Sequence, residues 1–265
     1  MTGLESKVAA VAQGAESSAG RHGMERPFVV CHMLTSLDGK IDGAFFAAPQ
    51  TAPALRAYGE LRSFYRCQAV LYGAATMLGG YADGPAPRLP AAEAPVPLGD
   101  YVNPEGRAVG NFIVSMDPRG ELGFSSHLLE RKGRPAAHVV EALTREAPPE
   151  YLAYLRRLGI SYLLAGEGRL DCRLLLGKLK GLFGVERLMV AGGGITNCSF
   201  LGEGLIDELS LVIAPVADGS AAAASIFEEA DFLPAYGPEP FRLEEAKPLE
   251  GNALWLRYLR AGSEG

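Results

Sequence analysis

The chain has 265 residues, of which 48% are hydrophobic and 21% charged, values of an ordinary globular protein with ample length for a real core. A net charge of −6 speaks against a nucleic-acid backbone binder, which would be basic. Four cysteines without any C-x-x-C pairing argue against a zinc ribbon or a disulfide framework and fit a reducing cytoplasm. No apolar run approaches the roughly 18 residues that span a bilayer, and no signal-peptide plan is visible. The expectation is a cytoplasmic protein acting on a small molecule, with no membrane and no nucleic acid.

Residues 1–25 are rich in Ala, Gly and Ser and lack a lasting apolar period, so they read as a flexible tail ahead of one domain over residues 26–262. Residues 28–34 form a continuous apolar run suited to a central strand buried on both faces. A loop over residues 35–43 follows, with two glycines and two aspartates. Leu55, Tyr58 and Leu61 give residues 52–64 helical spacing. A second buried strand over 69–72 ends in Gly73-Ala74-Ala75-Thr76. Residues 79–107 hold many prolines and glycines and read as a long irregular connection.

Further strands are expected over 111–115, 137–140, 160–165 and 188–190, with helices over 149–158 and 172–182 between them. The run ending at Ala191 leads into Gly192-Gly193-Gly194, after which Thr196 and Asn197 open a predicted helix over 199–204. A seventh strand spans 206–214, and residues 241–247 and 253–259 alternate well enough for a closing hairpin. Strands alternating with helices make an α/β fold with a mixed, mostly parallel sheet flanked by helices and a C-terminal antiparallel hairpin.

Ligands of open α/β sheets bind at the carboxyl ends of the strands. Five such ends carry permissive or polar residues: 36–39, 73–76, Ser115, 165–168 and 192–196. Strand, glycine turn, helix start presents backbone N–H groups to an anion, and glycine lets a phosphate approach closely. Each end alone is compatible with plain turn chemistry. Together they point to an elongated, phosphate-bearing ligand such as a dinucleotide, although G-x-G-x-x-G is absent. The histidines His22, His32, His127 and His138 lack metal-ligand spacing, and His32 and His138 read as core residues, so no metal is expected. Asp207 and Glu208 read as structural acids. Arg62, Arg66, Arg119 and Lys132 read as solvated cations within possible reach of an anionic substrate.

With these residues in place, the sequence resembles the pyrimidine reductase of riboflavin biosynthesis, which has a dihydrofolate-reductase-like fold. The resemblance rests on Ser36-Leu37-Asp38-Gly39-Lys40-Ile41, on Gly73-Ala74-Ala75-Thr76, and on the block from Leu188 through the three glycines to Leu205-Ile206-Asp207-Glu208-Leu209 and Ile213-Ala214-Pro215. It implies NADPH-dependent hydride transfer to a ribosylaminopyrimidine phosphate, or to a related imine or carbonyl, in a homodimeric enzyme.

By the family pattern, Leu34, Leu37 and Gly39 flank the nicotinamide. Gly73, Ala74 and Thr76 touch the cofactor phosphates, Ser115 lies toward the adenosine 2′-phosphate, and Gly192, Gly193, Gly194, Ile195 and Thr196 take the pyrophosphate. Ala165 and Gly166 complete the cofactor side. Ser36, Arg62 and Ala191 fall on the substrate side, and Asp38 is the candidate source of the balancing proton.

Three departures stand out. Ala191 replaces an acidic substrate contact, Phe45-Phe46-Ala47 stands where a W-I-T-type segment is expected, and Gly79-Gly80-Tyr81-Ala82-Asp83 replaces D-D-P. Losing an anionic contact to a polar pyrimidine costs on the order of 1–3 kcal/mol in binding. The alternative expectation is therefore an NADP(H)-binding paralogue with an altered substrate or without turnover. No H-x-E or P-C-x-x-C deaminase signature occurs, so a stand-alone reductase is expected.

Overall fold

A computed structural model of the chain describes residues 25–92, 95–97, 99–131 and 133–261. The tail expected over residues 1–25 lies almost wholly outside the described residues, as do His22 and Lys132.

The strands in chain order are β1 (Phe28–Thr35), β2 (Ala69–Gly73), β3 (Gly84–Pro85), β4 (Phe112–Met116), β5 (Leu122–Gly123), β6 (Leu128–Leu129), β7 (Ala137–Leu143), β8 (Ser161–Leu164), β9 (Arg187–Val190), β10 (Glu208–Ile213), β11 (Phe241–Pro248) and β12 (Leu254–Arg260). The helices are α1 (Thr51–Phe64), α2 (Ala74–Leu78), α3 (Pro104–Ala108), α4 (Pro149–Leu158), α5 (Cys172–Phe183) and α6 (Gly194–Gly202). Among the described residues the main sheet runs β11-β12-β10-β1-β9-β2-β4-β7-β6, with β8 also paired to β7. Every pairing from β10 through β8 is parallel; β12, β11 and β6 run antiparallel. The expected α/β class with its closing hairpin is what the structure shows.

Strand periodicity divides the core in two. On β1, Val29, Cys31 and Met33 face one side, where Leu175, Leu176 and Leu179 of α5 and Phe200 of α6 cover them. Val30 and Leu34 face the other, with Ala54 of α1 and Tyr151, Leu152 and Leu155 of α4. Both faces are buried, which is why the parallel strands read as unbroken apolar runs. Cap chemistry sets the helix ends. Asp171 accepts from the Leu174 N–H at 2.8 Å to start α5, and Gly184 in the left-handed region closes it.

Several polar residues of the core are satisfied in chains. Trp255 donates to Ser210 at 2.9 Å, Ser210 donates to His32 Nδ1 at 2.9 Å, and His32 Nε2 donates to the Tyr58 carbonyl at 3.1 Å. This arrangement requires a neutral imidazole, and burial lowers the His32 pKa to about 4. Glu208 is buried against Arg257 at 2.6 Å and accepts from Tyr65 at 2.7 Å. Asp207 accepts from Arg26 and from the Val29 N–H. Both acids are structural anchors, in keeping with their reading from the sequence.

Two local expectations require correction. The helix expected over 199–204 begins at Gly194. The third glycine is thus spent on the helix rather than on the turn; Asn197 lies inside the first turn, where its side chain donates to the Ile226 carbonyl at 2.8 Å. The connection over 79–107 is less irregular than expected, because it contains β3 and α3. Asn103 caps α3 by accepting from the Glu105 N–H at 3.0 Å, with Pro104 at the first helical position.

Candidate active site

All the parallel strands present their carboxyl ends to one edge of the sheet, and a cavity of about 560 Å³ opens there. This size lies within the range of small-molecule sites. Its wall forms where two strand ends meet. Gly73 and Ala74 come from the β2–α2 junction, and Gly193, Gly194, Ile195 and Thr196 from the start of α6. The Gly73 N–H donates to the Gly192 carbonyl at 3.1 Å, locking the two turns together.

Glycine is required at this junction for a steric reason. A Cβ on Gly73 would stand 2.3 Å from the Thr196 hydroxyl oxygen. Gly192 occupies the left-handed region at φ 95, and the Gly192–Gly193 peptide is cis. At Gly193 the opposite holds: a Cβ there would meet nothing within 4 Å, so the cradle is open at that point. The first N–H groups of α6 have no intrahelical acceptors and carry the positive end of the helix dipole. An anion brought against Gly193 to Thr196 would satisfy them.

The rest of the lining comes from distant segments. Met116 and Leu170 give apolar surface, and Arg119 and Arg169 give two cations. Ala224, Glu228, Phe232 and Leu233 roof the cavity from the long segment between β10 and β11. Phe232 is 63% exposed at the rim. None of Arg169, Glu228 or Phe232 was singled out in the sequence. They belong to irregular stretches with neither periodicity nor motif.

The sequence-predicted cofactor residues are therefore only partly brought together. Gly73, Ala74, Gly193, Gly194, Ile195 and Thr196 share the cavity. Gly192 stands directly behind it, and Thr76 lies within α2, outside the lining. Leu34 is buried in the core beneath the edge, Leu37 is largely exposed, and Gly39 makes a turn at φ 77. Ala165 is fully buried, its N–H donating to the Leu143 carbonyl at 2.8 Å, and Gly166 forms a tight turn at φ 120.

Ser115 is fully buried beneath this edge, next to a carboxyl group. Its hydroxyl and both oxygens of Glu141 lack hydrogen-bond partners. Burial, reinforced by the neighbouring Asp117 carboxylate, pushes Glu141 well above the usual carboxylate range. Burial therefore favours the protonated form of Glu141 over the carboxylate.

On the substrate side, Ser36 donates to Asp38 at 2.6 Å and accepts from the Lys40 N–H at 2.9 Å. Asp38 also accepts from the N–H groups of Asp218 at 2.9 Å and Gly219 at 2.8 Å. Led by the Ser36 hydroxyl, these bonds hold the Asp38 carboxyl far below its usual value. Its role in the structure is to tie the loop after β1 to the segment after β10. Ala191 is buried in the α1-side core, its N–H donating to the Leu71 carbonyl at 3.0 Å. Arg62 donates to the Tyr72 hydroxyl at 2.5 Å and lines a second cavity instead. Ser36 and Ala191 line neither of these two cavities.

The RibD C-terminal domain model matches residues 27–249. The 2,5-diamino-6-ribosylamino-4(3H)-pyrimidinone 5′-phosphate reductase of Methanothermobacter thermautotrophicus is 33% identical over 207 residues, covering 77% of this chain and 84% of that protein. The enzyme of the same name from Archaeoglobus fulgidus is 27% identical over 238 residues, covering 89% of this chain and 100% of its own length. Among solved structures, RibD of Acinetobacter baumannii superposes with a TM-score of 0.59 at 22% identity. That match takes in 89% of this chain but only 58% of the Acinetobacter protein. A pyrimidine reductase-like protein from Corynebacterium diphtheriae gives a TM-score of 0.62 at 16% identity, covering 88% of this chain and 92% of its own. At these identities the structural matches speak for the fold. The curated relatives are reductases, which supports a reductase role here.

Proposed function

The chain belongs to the RibD C-terminal domain family, and on that premise we propose that it is an NADPH-dependent reductase of a ribosylaminopyrimidine phosphate. One observation carries this reading: a cavity at the carboxyl edge of the sheet whose wall is the glycine-built start of α6 set against the β2–α2 turn. The open cradle at Gly193 fits a diphosphate. Gly193, Gly194, Ile195 and Thr196 would hold it through backbone N–H groups. Arg119 and Arg169 are the cations available to a further phosphate, and the apolar rim of Ile195, Phe232 and Leu233 suits a flat base. When bound, NADPH supplies the hydride equivalent that reduces the imine carbon of the ring-opened ribosylamine.

The protein's own contribution is positioning. Asp38 is held ionised by three donors, so it has no proton to give near neutral pH. The proton that balances reduction at the imine nitrogen is then supplied by water admitted at the mouth of the site. Leu34, Ser36, Leu37 and Gly39 set the floor and rim on the β1 side, and Ser115 acts from below through its place beside Glu141 and Asp117. Exposed Phe46 and Leu55 offer apolar surface for the homodimer that belongs to the same reading.

The second reading, an altered substrate, is favoured by Ala191. Its methyl group is packed in the core where an acidic contact would be needed.

Calorimetry with NADPH and NADH, followed by turnover assays on the diaminopyrimidinone and aminouracil phosphates, tests the proposal. Micromolar NADPH binding, tighter than NADH, with turnover of either compound is expected. No NADPH binding at millimolar concentration overturns it. Binding without turnover of either compound moves the case to the second reading.

A further inference from the structure

Two buried carboxyl groups lie under the wall of the cavity at the carboxyl edge. Glu141 of β7 and Asp117, the residue just past β4, are 0% and 1% exposed. Strand alternation turns Glu141 to the same face as Val139 and Leu143, under α4. In register it stands beside Ser115 of β4 and Tyr162 of β8, and Tyr151 and Tyr154 of α4 close the space. The nearby cation of α4, Arg156, is engaged by the Tyr162 hydroxyl at 2.8 Å.

The two acids are served unequally. Asp117 Oδ2 accepts from the Glu121 N–H at 2.7 Å and from the Leu122 N–H at 3.0 Å. Neither oxygen of Glu141 accepts anything, and the Ser115 hydroxyl beside it is also unpartnered. The Tyr151 hydroxyl donates to the Leu122 carbonyl at 2.8 Å and so offers Glu141 no proton. Two carboxylates in one dry space repel, so a single proton held between them is the favourable charge state. N–H donors stabilise an ionised oxygen, which assigns the charge to Asp117 and the proton to Glu141. Burial and the Asp117 charge act on Glu141 in the same direction.

What the pair holds is the turn over residues 117–121. The Glu121 and Leu122 N–H groups end on the Asp117 side chain, the Gly120 N–H ends on its carbonyl at 3.1 Å, and the Thr144 hydroxyl fastens the Pro118 carbonyl at 2.7 Å. Gly120, at φ 75, packs so closely on Tyr151 that a Cβ would stand 2.3 Å from the ring. Pro118 and Arg119 at the tip of this turn line the cavity, and the Arg119 side chain is 71% exposed there. We propose that Glu141 is a positioning residue: it keeps its proton, donates it in a hydrogen bond to the Asp117 carboxylate, and so holds the turn that presents Arg119 to the cavity. Without that bond Asp117 is a buried charge short of a donor, and the turn loosens. That Arg119 meets a cofactor phosphate there rests on the reductase reading; the hold on the turn does not.

Three measurements on the full chain test this: infrared difference spectra of wild type against Glu141→Gln at neutral pH, amide exchange at Glu121 and Leu122, and calorimetry with NADPH. Wild type should show the carbonyl stretch of a protonated carboxyl group, and Glu141→Gln should remove it. Exchange and NADPH affinity should stay unchanged in Glu141→Gln, whose amide N–H replaces the acid O–H. In Glu141→Ala both amides should exchange at least about tenfold faster while those of β1 do not, and NADPH affinity should drop about fivefold. In an Arg119→Ala background Glu141→Ala should cost no further affinity, because its effect passes through that side chain. Absence of the carbonyl band, exchange in Glu141→Gln as fast as in Glu141→Ala, unchanged exchange in Glu141→Ala, or an undiminished affinity loss in the Arg119→Ala background would overturn the proposal. Should Glu141→Ala fail to fold, the infrared band and Glu141→Gln decide. Should NADPH bind no form of the protein, the reductase reading falls and the infrared and exchange results decide this one.

Discussion

The two cavities are built by opposite means. At the carboxyl edge, selectivity comes from the backbone: glycines without side chains, a helix start with spare N–H groups, and an apolar roof. On the α1 face it comes from side chains alone, four arginines and two tyrosines brought in from α1, β2, α2's following turn and the segment between β6 and β7. A backbone site is rigid, and at Gly73 it tolerates no extra atom. A side-chain site is adaptable, and its strength scales with charge and falls with salt.

The largest expected effect lies at the backbone-built wall. Gly193→Val fits sterically, because nothing stands within 4 Å of the new Cβ, yet it fills the cradle. NADPH affinity should fall about a thousandfold, or about 4 kcal/mol. A variant that binds NADPH normally would show that the diphosphate does not lie on Gly193.

Acid should strike next, at the buried histidines beneath both sites. His32 and His138 each have a pKa lowered to about 4, chiefly by burial, against an ordinary value near 6.5. Below 6.5 the unfolded chain takes up protons that the folded chain refuses, so stability falls as pH drops from about 6.5 to about 4. For His32 that loss is about 3 kcal/mol at the acid end of the window. Chemical denaturation across this range would measure it, and a flat profile would contradict neutral burial.

The smallest effect sharpens the side-chain side. Arg66→Gly removes a strained left-handed residue, and stability should rise by about 0.5–1 kcal/mol. A stability loss on denaturant titration would mean that the arginine side chain contributes packing at the end of α1.

What could be read in advance follows the same division. Buried parallel strands announce themselves as apolar runs, and glycine turns at their ends are local, so β1, β2, β9 and most of the backbone-built wall were visible in the sequence. The start of α6 was misplaced because glycine and Asn197 are poor helix signals, although the first turn tolerates both where N–H groups have no helical partner. The roof residues Glu228 and Phe232 carried no pattern. Arg62, Arg66 and Arg119 could be seen as free cations, but nothing local says that Arg131 and Arg134, some seventy residues after Arg62, converge on the same tyrosines. Asp38 was visible as a loop acid, while its partners lie 180 residues downstream.

The Asp38 tie has a mechanical meaning beyond its effect on one carboxylate. The Leu37 N–H is also held by the Val216 carbonyl at 2.8 Å, Ile41 by Ala224 at 2.9 Å, and Lys40 pairs with Ser225. Ala224 and Glu228 belong to the roof of the cavity at the carboxyl edge, and the Glu228 N–H is fastened to the Gly194 carbonyl at 3.2 Å. The loop after β1, the roof and the first turn of α6 therefore form one clasp, riveted at both ends. Lifting the roof would break hydrogen bonds to both other parts, so the loop after β1 and the first turn of α6 are mechanically linked through it.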